Sequence, residues 1–155
     1  VGLDLSSLRW SLLPEGPSAR HDISAATDGE RLWIFGGAGA FLQSLEDLWE
    51  LDLATDRWRA IDTAEAHPSA RTSYATAYLD GSIWLHGGHD AITAFHDSWR
   101  FDLATERWVQ LTVSGGTAAA AHYAHTLDPV CGALLMTGGD NPVGITGAFG
   151  VLVTP

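Results

Sequence analysis

The sequence predicts an all-β repeat protein built from four-stranded antiparallel units stacked side by side, and three observations carry that expectation. The stretch Asp47-Leu48-Trp49-Glu50-Leu51-Asp52-Leu53-Ala54-Thr55-Asp56-Arg57-Trp58 returns almost unchanged, 50 residues on, as Asp97 to Trp108. Glycine pairs at Gly36-Gly37, Gly87-Gly88 and Gly138-Gly139 recur every 51 residues. Between these landmarks, short apolar runs alternate with polar positions and break at Asp-Gly turns, which is the period of strands and not of helices. Each repeat is far smaller than the roughly 100 residues of an ordinary domain, so the repeats must stack to bury a core.

The elements follow in order. Residues 1–13 are expected to be the last strand of a preceding unit, because Asp4 to Trp10 aligns with Asp52 to Trp58 and with Asp102 to Trp108. Residues 14–62 form the first full unit: a strand from His21 to Thr27, a turn at Asp28-Gly29, a strand from Arg31 to Phe35 running into the glycine pair, and a loop from Ala38 to Glu46. Asp47 to Leu53 then puts Trp49, Leu51 and Leu53 on one face and Glu50 and Asp52 on the other, the alternation of a half-buried strand. After the Ala54-Thr55-Asp56 turn, Arg57 to Ile61 closes the unit.

Residues 63–112 repeat the plan, with strands over Thr72 to Leu79, Ser82 to His86, Asp97 to Leu103 and Arg107 to Leu111. Pro68-Ser69-Ala70-Arg71 restates Pro17-Ser18-Ala19-Arg20 and fixes the register between units. Residues 113–155 are expected to be an incomplete third unit, since Phe149 to Val153 lacks the Asp-x-Trp pair. Nothing in the chain reads as a helix.

Composition narrows the function classes. The chain holds 19 acidic and 8 basic residues for a net charge of −11, and every basic residue is arginine. Binding to nucleic acid backbones is disfavoured. The longest apolar runs, such as Leu32-Trp33-Ile34-Phe35, fall far short of the roughly 20 residues a membrane-spanning helix needs, and no membrane partner is expected. Cys131 is the only cysteine, so no intramolecular disulfide can form.

A strand ending in Gly-Gly, then Asp-x-Trp, then an apolar residue spaced before a tryptophan as Leu51 is from Trp58 and Phe101 from Trp108, all at a period near 50, resembles the kelch repeat. The resemblance covers almost the whole chain. It implies a kelch-type β-propeller segment of about three four-stranded antiparallel blades, with the first strand of each nearest the central axis. Small residues along Ser24-Ala25-Ala26 and Ala75-Thr76-Ala77 suit that crowded position, and Trp33, Trp49, Trp58, Trp84, Trp99 and Trp108 supply surfaces for blade packing. The glycine pairs allow positive φ or close backbone approach.

In kelch propellers that act as adaptors, ligands sit on the face built by the loops between blades and the loops after the glycine pairs. By position, the resemblance places Arg20, His21, Arg71, Thr72 and His122 in the first kind of loop, and His89, Asp90, Asp140 and Asn141 in the second. The opposite face collects Asp28, Asp52, Asp80 and Asp102 in its hairpin turns and reads as a solvated acidic cap. Arginine and histidine on the inter-blade face favour an acidic or hydrogen-bonding ligand. The competing reading is that Arg20 and Arg71 pair with carboxylates of their own blades.

His86, His89, Asp90 and His96 invite a metal reading, but His86 replaces the strand residue Phe35 of the first repeat, so no metal site is expected. His122 and His125 fall on opposite faces of one strand. Some kelch propellers are enzymes; here Cys131 has no tyrosine near it in sequence, and no nucleophile elbow, zinc-binding helix or phosphate loop is present. Neither a catalytic constellation nor a cofactor is expected. The sequence thus predicts a protein-interaction scaffold that binds through inter-blade loops, with part of a carbohydrate-binding or carbohydrate-modifying propeller as the alternative. Three blades are too few for a ring, so either two copies complete each other as a homodimer or the residues belong to a longer chain.

Overall fold

The structure is a computed structural model and describes residues 1–63, 65–113, 123–141, 144–145 and 149–153. Among these, fourteen strands form four antiparallel sheets, and one 3-10 turn at Ala40–Leu42 is the only helical element. β1 (Gly2–Asp4) and β2 (Arg9–Ser11) pair as a hairpin. The first blade holds β3 (Ala25–Thr27), β4 (Arg31–Ala38), β5 (Ser44–Asp52) and β6 (Arg57–Ile61), in that order across the sheet. The second holds β7 (Ala75–Leu79), β8 (Ser82–His86), β9 (Ser98–Asp102) and β10 (Arg107–Leu111).

In the third sheet β11 (Tyr123–Val130) pairs with β12 (Ala133–Asn141), while β13 (Gly144–Ile145) and β14 (Phe149–Val153) pair one after the other with β12. It is therefore three strands deep.

Two local expectations need correction. Residues 1–13 hold two strands, not one: Asp4 closes a turn by accepting Ser6 N and Ser7 N on Oδ1, both at 2.8 Å, and the chain ahead of it pairs back onto β2. Asp52 and Asp102 cap their turns in the same way, at Ala54 and Thr55 and at Ala104 and Thr105. A left-handed residue follows four positions later each time, at Leu8, Asp56 and Glu106. The first hairpin is thus the third-to-fourth strand connection of the repeat. The second correction concerns strand length. β3 starts only at Ala25, and His21 joins the sheet through an isolated bridge to Ala38.

Adjacent blades touch through their first strands, β3 against β7 and β7 against β11. Thr76 N and Thr76 Oγ1 both donate to Ser24 Oγ, at 3.1 and 2.9 Å. Ala26, Ala75 and Ala77 are buried there, where a larger side chain would hold the strands apart.

Farther out, alternation sends successive residues of a strand to opposite neighbours. Ile83 and Leu85 pack toward the first blade with Trp33, Phe35, Leu48, Trp99, Phe101 and Trp108. Trp84, between them in sequence, packs toward the third sheet with Leu127, Leu134 and Met136. Phe35 sits edge-on to Tyr74 and Trp108, at centroid separations of 6.0 and 5.6 Å. Full burial of one such side chain is worth about 1.5–3 kcal/mol. Trp33, Trp84, Trp99 and Trp108 are buried. Trp49 and Trp58 occupy the positions of Trp99 and Trp108 one repeat earlier but are only half-buried, because no full blade lies over that face of the first blade among the described residues.

Candidate functional site

In the first two blades the leading loop is bolted to the start of the blade's third strand by an arginine. Arg20 Nη1 and Nη2 donate to Asp47 Oδ1 and Oδ2 at 2.6 and 2.9 Å, and Arg71 makes the same fork to Asp97 at 2.6 and 3.0 Å. The carbonyls of Gly36 and Gly87, the first glycine of each pair, accept a further bond from Nη1 at 2.9 Å. Nε donates to Ser18 O and Ser69 O respectively. Trp49 and Trp99 then donate their indole N–H to the same carboxylates, at 2.6 and 2.7 Å. The repeated Asp-x-Trp is therefore one half of an Arg–Asp–Trp knot, in which the aspartate at the start of the motif holds both the loop and the neighbouring ring.

The Asp97 carboxyl is pushed up most by its own burial, yet hydrogen bonding and charge from Arg71, with the Trp99 indole, hold it below the usual carboxylate range. Asp47 is held low by the same balance with Arg20 and Trp49.

This geometry corrects the expectation that Arg20 and Arg71 present themselves to a ligand. Their side chains are 4% and 0% exposed, and Arg71 also has its guanidinium 4.1 Å over the Phe95 ring. With all five N–H donors of Arg20 and four of the five of Arg71 engaged, these planar forks have little left to offer a partner. Arg71 further joins two blades through its backbone: its carbonyl accepts from Gly37 N at 2.9 Å, and its N–H donates to Leu45 O at 3.1 Å. That approach is why glycine stands at position 36, where φ is +54° and a Cβ would fall 2.6 Å from Leu45 O and 2.9 Å from Arg71 O.

The residues that follow these arginines do meet those that follow the glycine pairs. His21 bridges Ala38, Thr72 bridges His89, and Tyr123 pairs with Asp140 in the sheet of the third unit. The backbone bonds are 2.9–3.0 Å in the first bridge and 2.8–3.0 Å in the second. Between the first two blades this leaves a cleft of about 210 Å³, whose lining includes His21, Asp22, Leu42, Thr72, His89 and Asp90. His21 and Asp22 are exposed and pair at 3.0 Å. Thr72 is buried, with its hydroxyl 3.5 Å from His89 Nε2, while His89 Nδ1 lies 2.9 Å from Asp90 O.

Asp90 Oδ1 accepts Ile92 N and Thr93 N at 2.7 and 2.6 Å, and these backbone bonds hold its carboxyl below the ordinary range. Asn141 is placed by its backbone pairing with Gly144. His122 lies outside the described residues. His86 turns inward, its Nδ1 2.8 Å from Ser98 Oγ, and no group of three or more metal-binding side chains is gathered among the described residues.

The most exposed apolar side chains on this face are absent from the sequence reading. Phe41 is fully exposed, Ile92 is 95% exposed and Leu42 is 73% exposed. Phe41 and Ile92 each stand five residues after the first glycine of a pair, and Val143, outside the described residues, holds the same register. That recurrence of large apolar residues in otherwise polar loops was the available signal.

Stacked four-stranded antiparallel sheets that touch through their first strands and knot each leading loop beside a glycine pair define a β-propeller segment of the kelch class. The chain belongs to the kelch-repeat family: residues 1–146 match the family described as the KLHDC2/KLHL20/DRC7 Kelch-repeats domain.

Curated relatives are similar over shorter or weaker stretches. The chain is 34% identical to acyl-CoA-binding domain-containing protein 5 of Arabidopsis thaliana over 59% of its length and 15% of that protein's. It is 27% identical to tip elongation aberrant protein 1 of Schizosaccharomyces pombe over 83% of its length and 11% of that protein's. To dynein regulatory complex subunit 7 of Chlamydomonas reinhardtii it is 32% identical over 56% of its length and 8% of that protein's. The aligned region thus spans a small fraction of these much larger proteins.

Proposed function

We propose that this chain is a protein-interaction module that docks partners on the inter-blade face around His21, Thr72, His89, Asp90, Asp140 and Asn141. The observation that carries the reading is the pair Phe41 and Ile92, exposed at equivalent loop positions on adjacent blades, each next in sequence to a residue that lines the cleft, Leu42 and Ala91. Exposed apolar side chains rimmed by polar groups mark protein contact sites. Arg20 and Arg71 serve this face indirectly, by fixing the loops from which the contact residues project. Membership in the kelch-repeat family supports the reading, as does the similarity to a protein named as a subunit of the dynein regulatory complex.

Selection from a random displayed peptide library tests it. Peptides that bind the chain are expected to compete with one another and to lose binding to the double variant Phe41→Ser with Ile92→Ser. Selected peptides that bind this variant as well as the parent would remove the assignment of the face.

A further inference from the structure

We infer that the segment taken by the cleft between the first two blades is basic and apolar, a stretch of a protein partner carrying arginine or lysine beside a large aliphatic or aromatic residue. The inference rests on the proposed docking face and adds the chemistry of its occupant. Arginines at positions 20 and 71 suggest an acidic ligand from sequence alone, and the fold reverses that sign. Both guanidinium groups are buried against Asp47 and Asp97, which cancels their charge at the face. The cleft lining retains two carboxylates, Asp22 and Asp90, with His21 and His89 beside them and no arginine. The Asp90 carboxylate is held in place by two backbone amides, and the whole chain carries a net charge of −11. A cationic segment is therefore drawn to the face and an acidic one repelled.

The apolar half of the recognition comes from Phe41, Leu42 and Ile92. Phe41 and Leu42 take φ values of +58° and +60°, a region that side chains other than glycine rarely adopt and that costs free energy to hold. The cost is borne at a place where it turns a phenyl ring fully into solvent and leaves Leu42 lining the cleft. An apolar side chain of the partner would pack on Leu42 at the cleft edge and on the adjoining Phe41 or Ile92, while its neighbouring cation meets Asp22 or Asp90.

Three fluorescein-labelled peptides of equal length test this by anisotropy with the full 155-residue chain: alternating arginine and leucine, alternating glutamate and leucine, and alternating arginine and serine. The arginine–leucine peptide is expected to bind at least about tenfold more tightly than either other. Asp22→Asn with Asp90→Asn should weaken it several-fold and flatten its salt dependence. Asparagine tolerates the left-handed backbone at position 22 and can still cap the turn at position 90, so the loops keep their shape. Phe41→Ser with Ile92→Ser should weaken it by a similar factor.

Tighter binding of the glutamate–leucine peptide, still lost on Phe41→Ser with Ile92→Ser, would overturn the charge inference and leave the docking face standing. Arginine–leucine binding that is indifferent to all four substitutions, or that is displaced by a neutral oligosaccharide, would overturn the inference together with the face.

Discussion

Arg71 and Asp97 form a two-pronged ion pair with the guanidinium wholly buried, and through it the loop that opens the second blade is tied to that blade's third strand. Because the Arg71 backbone also bonds Gly37 and Leu45 of the first blade, one residue fixes both the shape of a blade and its seating on the previous one.

Removing that cation should be costly. Arg71→Ala leaves the Asp97 carboxylate without its counter-charge, and breaking a buried pair on one side typically costs about 3–5 kcal/mol. Arg71→Lys is expected to recover only part of this, since a point charge cannot reproduce the fork or the contact with the Gly87 carbonyl. Urea unfolding of the two variants against the parent measures both.

Acid should loosen the same knots. Asp47 and Asp97 are held below their unfolded values, so their contribution is fully present above the unfolded carboxylate value of about 3.9 and is lost as pH falls through the lower folded value. The thermal midpoint is expected to drop as pH is lowered from about 4 toward 2, and to drop less in Asp97→Asn, measured from its own neutral-pH midpoint.

Equivalent tryptophans should not be equivalent in energy. Trp99 is 8% exposed against the first blade, whereas Trp49, with the same indole bond to its aspartate, is only half-buried. Trp99→Ala is expected to cost about 3–5 kcal/mol and Trp49→Ala clearly less. Equal shifts in the urea midpoints would contradict the packing described.

The first hairpin should drive association. Leu5, Leu8, Trp10 and Leu12 are 68–87% exposed along it, a cluster in sequence of large apolar side chains left in solvent. Light scattering on the 155-residue chain is expected to read a mass above the monomer, falling on Trp10→Ser with Leu12→Ser. A compact dimer would agree with two copies covering each other's open blades, the arrangement the repeat phase suggests.

Close substitution at the second glycine pair should fail for steric reasons. Gly88 has φ of +91°, and a Cβ there would lie 2.7 Å from Thr72 O and 2.9 Å from Tyr74 Cβ. Gly88→Ala is expected to lower the melting temperature by several degrees, and circular dichroism on heating reads it.

The sequence by itself determined the repeat, most of its strands and the blade-packing role of Trp33, Trp84, Trp99 and Trp108. Those follow from local alternation, turn chemistry and a period that stacking alone can satisfy. The kelch resemblance assigned His21, Thr72 and His89 to loops of one face, but that Thr72 bridges His89 and His21 bridges Ala38 came only from the fold. Only the tertiary structure decided what the arginines do. Arg20 lies 27 residues from Asp47 and Arg71 lies 26 from Asp97, so nothing local tells whether each guanidinium turns to solvent or folds back onto its blade. Close packing beside the glycine pair turns them inward, against Asp47 and Asp97. The prominence of Phe41 and Ile92 was likewise a tertiary matter, because an apolar residue in a loop is buried or exposed according to the backbone on which it is carried.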